Sequence, residues 1–145
     1  MKSGFSIPLA VFLWKKHHCL DKVIKSLVNC EGFKKTKVFI FVDNAEINSK
    51  DFKSNITLKK KLFKYQHYKN ITVIYRKKKL GLKKNILNGI TNLLKIYKEV
   101  IVLEDDLVVS KDFLKYMNES LNFYKNNKLI LSISAFNHKT LPTYN

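Results

Sequence analysis

The chain has 145 residues, 46% of them hydrophobic, and a formal net charge of +17. That length suits one domain, and that apolar content supports a buried core and excludes a disordered chain. Every basic residue but Arg76 is a lysine, which argues against a nucleic-acid reader built on arginine forks to phosphate and guanine.

Residues 1–4 do not open a secretory signal. The apolar stretch at 5–14 is short, lacks a small-residue cleavage site and runs into Lys15-Lys16-His17-His18, so a cytoplasmic protein is expected. Residues 7–14 read as a first strand, and no such run is long enough to cross a bilayer. Residues 19–29 read as a helix, with Leu20, Val23, Ile24, Leu27 and Val28 at helical spacing. Cys19 and Cys30 are too few and too scattered for a disulfide framework or a zinc site. A second strand covers 37–43, and a lysine-rich, partly irregular helix covers 51–66. A third strand at 71–76 leads through Arg76-Lys77-Lys78-Lys79-Leu80-Gly81 into a helix over 82–98. A fourth strand at 100–103 runs into Glu104-Asp105-Asp106. A helix over 111–126 follows, with Ser110 as its N-cap, and 129–135 reads as a fifth strand.

The five strand-like runs start 29 to 34 residues apart and are continuously apolar. Such spacing suits strand–helix–strand units, and such runs suit strands covered on both faces. The expected fold is α/β, an open and mostly parallel Rossmann-like sheet of about five strands, in a single domain over residues 1–145. Ligands of such sheets bind beyond the carboxyl ends of the strands, which directs attention to Lys15-Lys16, Asp43-Asn44 and Glu104-Asp105-Asp106.

Three adjacent carboxylates at the end of a buried strand repel one another, and a divalent cation removes that cost. Oxygen donors of this kind suit Mg²⁺ or Mn²⁺, completed by substrate phosphates. Asp43 is placed to accept a hydrogen bond from a base or a ribose hydroxyl, or simply to form a turn. The basic loop ending at Gly81 suits either a phosphate or solvent, with Lys83, Lys84 and Asn85 on the first turn of the following helix. Neither a dinucleotide fingerprint nor a Walker loop is present. His17, His18, His67 and His138 are scattered and assemble no nucleophilic triad.

Residues 100–117, Val-Ile-Val-Leu-Glu-Asp-Asp-Leu-Val-Val-Ser-Lys-Asp-Phe-Leu-Lys-Tyr-Met, resemble the signature of bacterial sugar transferases related to the animal N-acetylglucosaminyltransferases of GT-A fold. Residues 75–89, with Leu80-Gly81-Leu82, are similar to the segment that leads into that motif. Residues 8–13 and 39–43 resemble the family's first two strands. The resemblance implies a GT-A nucleotide-sugar-binding domain. It gives Asp43 to the base, Glu104 and Asp105 to ribose or sugar, and Asp106 to a Mn²⁺ (or Mg²⁺) bridging the diphosphate. It sets Gly81 and Lys84 at the border of the donor pocket. It further implies an inverting transfer from a UDP-sugar to a glycan or lipid-linked acceptor, as in bacterial cell-surface polysaccharide synthesis.

Two departures stand out. Many relatives carry Asn-Arg-Pro after the first strand, where this chain has Lys15, Lys16 and His17. Lys16 supplies charge to a phosphate without a bidentate fork. The family places its acceptor site and general base further on than residue 145, so no catalytic base is identifiable within 1–145. A natural truncation, a fragment of a split gene and a donor-binding module that needs a partner chain all fit that ending. The basic surface suits peripheral contact with an anionic inner membrane face. An inactive nucleotide-sugar-binding remnant is the alternative, and a lysine-driven nucleic-acid binder is a distant one that leaves the acidic triplet unexplained.

Overall fold

A computed structural model of the chain describes residues 7–136. Residues 1–6 and 137–145, His138 among them, lie outside the described part. Four strands form at the densest β-branched and aromatic runs: β1 (Leu9–Leu13), β2 (Val38–Val42), β3 (Ile71–Tyr75) and β4 (Ile101–Glu104). Four α-helices alternate with them: α1 (Leu20–Val28), α2 (Phe52–Leu62), α3 (Leu82–Leu94) and α4 (Phe113–Tyr124). A 3₁₀ turn at Phe63–Tyr65 extends α2 toward residue 66, the expected end of that helix.

The sheet order is β3-β2-β1-β4, with every pair parallel. The chain steps outward from β1 to β2 and β3, then returns past β1 to lay down β4. The strand order therefore reverses between β1 and β4, and a doubly wound sheet opens its ligand crevice at such a point. The expected α/β class and parallel sheet are thus present, with four strands among the described residues.

Two apolar layers hold the sheet. Leu9, Val11 and Leu13 of β1, with Val38, Ile40 and Val42 of β2, pack against α1, α2 and α4. Ala10, Phe12 and Phe41 face the other way, toward Leu93 of α3. All five residues of β1 are buried, as its unbroken apolar run required. Helix α1 buries Leu20, Val23, Ile24 and Leu27 in one stripe, each contributing about 1.5–3 kcal/mol in transfer free energy. Edge strand β4 instead alternates, with Ile101 and Leu103 buried and Val102 and Glu104 exposed. Only one of its faces is covered by a helix.

Residues 129–135, expected as a fifth strand, form no strand. Leu129 and Leu131 are 93% and 97% exposed. Residues 133–136 instead line a cavity of about 770 Å³ against β4 and α4, with Leu107, Tyr116 and Met117 on its walls. The Tyr116 hydroxyl donates to the Ser134 carbonyl there, at 3.4 Å. An apolar run demands burial, and this one meets part of that demand in a groove rather than along a strand edge.

Two helix ends also differ from expectation. Asp112, not Ser110, stands at the N-cap of α4, without a side-chain capping bond. The Ser110 carbonyl accepts the Phe113 amide at 3.2 Å and the Cys30 thiol at 3.3 Å, so Ser110 closes the turn before the helix. Helix α3 stops at Leu94 rather than at residue 98. The Leu93 carbonyl takes both the Ile96 and Tyr97 amides, and the Tyr97 ring turns back to Phe39, 6.0 Å away.

Candidate functional site

The carboxyl ends of β1, β2 and β4 bring together most of the residues singled out by the sequence. Just past β1, the Lys16 Nζ lies 2.6 Å from Asp106 Oδ2 and 3.3 Å from Asp105 Oδ1. One cation therefore sits between two neighbouring carboxylates, at the point where the strand order reverses. Asp106 first, then Asp105, pushes the Lys16 ammonium up to about 12 against its own partial burial. The same ammonium holds the Asp106 carboxyl below the usual carboxylate range.

The third carboxylate stands apart. Glu104 pairs in register with Phe12, so it projects from the sheet face that carries α3, and it is exposed. Alternation along a strand separates Glu104 from its neighbour. The turn after β4 then brings Asp105 and Asp106 to the crevice.

A second constellation forms where β2 ends. Asp43 is 1% exposed. Its Oδ1 accepts the Asn44 and Leu80 amides, both at 2.9 Å, and its Oδ2 accepts the Gly81 amide at 2.8 Å. The carboxylate thus ties β2 to the loop that leads into α3. The Gly81 amide, which the sequence offered to an anion, is already taken by this side chain. Gly81 has φ +79° and ψ 160°, a backbone region that is essentially glycine's alone. Lys83 and Lys84 are exposed on the first turn of α3.

Three asparagines brace these ends. Asn55 of α2, fully buried, donates through Nδ2 to the Trp14 carbonyl at 2.6 Å and to the Asp43 carbonyl at 2.9 Å. It clasps the ends of β1 and β2 together. Asn44 donates to the Lys77 carbonyl at 3.1 Å and accepts Lys59 Nζ at 2.7 Å. Asn85, also buried, accepts Arg76 Nε at 2.8 Å. The single arginine therefore lies in the frame, stacked 5.0 Å from the Phe41 ring centroid, and burial pulls its pKa down. Residue type and helical spacing pointed to none of these roles. The available signal was a polar residue on an otherwise apolar helix stripe, as with Asn85, Gly89 and Leu93 of α3.

Two further lysines at this rim are engaged. Lys15 pairs with Asp51 at 2.8 Å and lies over the Trp14 ring, and Lys79 approaches Glu46 at 3.9 Å. The 770 Å³ cavity beside β4 and α4 includes none of Lys16, Asp43, Gly81 or residues 104–106, so it is not where the charges converge. No three His, Cys, Asp or Glu side chains among the described residues surround one point. The donor set that converges is Asp105 and Asp106, two hard oxygen ligands already gathered around one positive charge. That set fits a divalent ion which takes its remaining ligands from phosphates and water. Cys19 and Cys30 are free thiols, and burial pushes the Cys30 thiol up. No described helix is long and apolar enough to cross a membrane.

The model of the GNT-I family matches residues 24–141. Among solved structures, Staphylococcus aureus TarS (residues 1–349) in complex with UDP has the same fold. The TM-score is 0.59 at 17% identity, covering 82% of this chain and 33% of that one. TarS in complex with UDP-GlcNAc gives a TM-score of 0.56 at the same identity, covering 82% of this chain and 32% of that one. The chain thus spans about a third of the length of these structures. A search of curated proteins found no match.

Proposed function

Because the chain belongs to the GNT-I family of glycosyltransferases, we propose that it forms the donor half of a metal-dependent transferase and binds a nucleotide sugar across the β1–β4 crevice. The observation that carries this reading is the convergence of Asp105 and Asp106 on a single cation at the strand-order reversal. Crevices of this type receive nucleotides. A UDP-sugar is the donor of choice, since TarS of the same fold was solved with UDP and with UDP-GlcNAc.

In this reading Asp106 ligates Mn²⁺ or Mg²⁺, and Asp105 shares the metal or contacts ribose. Glu104, on the opposite face of the strand end, reaches toward the sugar. Asp43 shapes the nucleotide wall through the Leu80 and Gly81 amides, and Lys84 borders the phosphates. When bound, the metal would offset the charge growing on the nucleoside diphosphate as it leaves. The acceptor would be a glycan or a lipid-linked sugar, attacked with inversion after a carboxylate base takes its proton. None of the residues described here is assigned that base. Lysines on the surface would favour contact with an anionic membrane face.

Calorimetry of the full chain with UDP and a panel of UDP-sugars, with Mn²⁺ and with chelator, tests the reading. Binding that requires Mn²⁺ and is lost in Asp106→Ala is expected. Equal binding in chelator, or none in either condition, counts against a metal-dependent donor site. A sugar-transfer assay on the same samples separates an active enzyme from a donor-binding remnant.

A further inference from the structure

We propose that Lys16 is a built-in counter-cation of the acidic site, which a divalent metal must displace and which then passes to the donor's diphosphate. This inference rests on the donor-site reading above. It goes beyond it in making metal binding and diphosphate binding depend on each other through one side chain.

The geometry sets up the exchange. The Lys16 ammonium occupies the space between Asp105 and Asp106, 2.6 Å from the nearer oxygen. A metal held by Asp106 would need the carboxylate oxygen that the ammonium now contacts. Ammonium and metal cannot both fit there, and their like charges repel at such range. The side chain has somewhere to go, because it is 41% exposed. Its backbone stays put: the Lys16 carbonyl accepts the Cys19 amide at 3.0 Å, and the Lys15 carbonyl accepts the His17 amide at 2.7 Å. The turn after β1 is therefore a fixed post with a movable arm.

Charge determines the order of events. Without ligands, the ammonium offsets one of the two carboxylates it touches. A metal arriving alone gains Asp106 but strands the ammonium beside a dication. A metal arriving with a diphosphate leaves the ammonium a new anionic partner within reach. Lys16 thus opposes the metal alone and favours the metal–diphosphate pair, which is a coupling free energy between two ligands and is reciprocal. Protein-bound metal without nucleotide would then be scarce, and the acidic pair would stay charge-balanced between turnovers.

The test compares the full chain with Lys16→Met, which keeps the apolar stem, and Lys16→Arg, which keeps the charge. Mn²⁺ alone is titrated by electron paramagnetic resonance, and UDP is titrated by calorimetry at saturating Mn²⁺. Thermal unfolding confirms that each variant is folded. Lys16→Met should bind Mn²⁺ alone about tenfold more tightly and should bind UDP in Mn²⁺ more weakly, so that the synergy between the two collapses. Lys16→Arg should keep the synergy. If the folded Lys16→Met protein binds Mn²⁺ alone no better than the parent while the parent still binds Mn²⁺ and UDP together, the counter-cation role is overturned and the donor site stands. If the parent binds neither Mn²⁺ nor UDP, both readings fall.

Discussion

The Gly81 amide donates to Asp43 Oδ2 at 2.8 Å, so a carboxylate at the end of β2 holds the residue that opens α3, 38 positions further along the chain. The same carboxylate takes the Leu80 and Asn44 amides. Asp43→Ala would leave three backbone donors to find water or go unpaired. Hydrogen bonds to a charged acceptor are worth about 1.5–3 kcal/mol each, and leaving a buried donor unsatisfied costs about 1–3 kcal/mol. All three bonds are only part-buried, so the freed amides regain some water and the expected loss in unfolding free energy is below their sum, about 3 kcal/mol, seen as a lower urea midpoint at unchanged m-value. Asp43→Asn keeps one acceptor oxygen and should lose less.

Asn55 supplies the second cross-tie, and its replacement separates shape from hydrogen bonding. Asn55→Leu keeps the volume but removes both donors to the Trp14 and Asp43 carbonyls. Asn55→Asp puts an acceptor against two acceptors in a site with no exposure. Both variants should unfold more easily, Asn55→Leu by about 2 kcal/mol. Asn55→Asp should be the worse of the two near neutral pH and should recover as acid protonates it, which thermal melts at pH 7 and pH 4.5 would reveal. If Asn55→Asp failed to recover toward the parent at low pH, a buried charge would not be the source of its cost.

How far the sequence was legible depended on what kind of statement each feature needed. Strands β1 and β2 announced themselves because unbroken runs such as Val38 to Val42 have only one economical place, between two helical layers, while the edge strands β3 and β4 showed through their β-branched residues and regular spacing. The acidic end of β4 was legible because three adjacent carboxylates demand an explanation wherever they fall. The run at 129–135 misled because a strand is a relation between two segments. Apolarity states that Leu129 and Leu131 seek burial, and nothing in those residues names the partner. The ties made by Asp43, Asn55 and Asn85 were hidden for a related reason. Each is an ordinary polar residue until the fold brings its partner within 3 Å: backbone amides for Asp43, backbone carbonyls for Asn55 and the Arg76 guanidinium for Asn85. Lys16 was picked out by its place after the first strand, but its pairing with Asp105 and Asp106, 89 and 90 positions away, needed the strand order.

Two glycines oppose substitution for different reasons, and the same replacement distinguishes them. A Cβ at Gly89 would lie 2.5 Å from Phe12 Cε1 and 2.8 Å from Phe12 Cζ. Phe12 is buried and stacked on Phe41 with centroids 5.1 Å apart, so it has little room to yield. Gly89→Ala gains about 1 kcal/mol of helix propensity and loses more than that to overpacking, for which about 1–3 kcal/mol is usual. Gly81 has nothing within 4 Å of the added carbon; there the cost is backbone strain at φ +79°, about 1–3 kcal/mol. Double mutants discriminate between the two mechanisms. Shrinking the neighbour, as in Phe12→Leu, should restore part of the stability lost in Gly89→Ala and none of that lost in Gly81→Ala.

The ion pair of Asp21 with Lys64 gives stability a pH dependence whose sign is fixed by the direction of each shift. Lys64 first, then the Tyr65 hydroxyl, holds the Asp21 carboxyl below the ordinary carboxylate range. A depressed folded value means that this contribution is complete above the unfolded pKa of about 3.9 and fades as pH falls through the folded one. Burial, then Asp21, pushes the Tyr65 phenol up, and the Asp21 carboxylate raises Lys64. Raised folded values mean that these contributions are complete below about pH 10 and fade as pH climbs past it. Lys64 is half exposed, so salt should screen the pair and its effect should be modest. In thermal melts from pH 2.5 to 11, Asp21→Asn should flatten the acid limb, and Tyr65→Phe should flatten part of the alkaline limb and, through the hydrogen bond it removes from Asp21, a smaller part of the acid limb than Asp21→Asn does. An acid limb equally steep in Asp21→Asn would shift the assignment to the remaining carboxylates, of which Asp106 is depressed by Lys16 in the same sense.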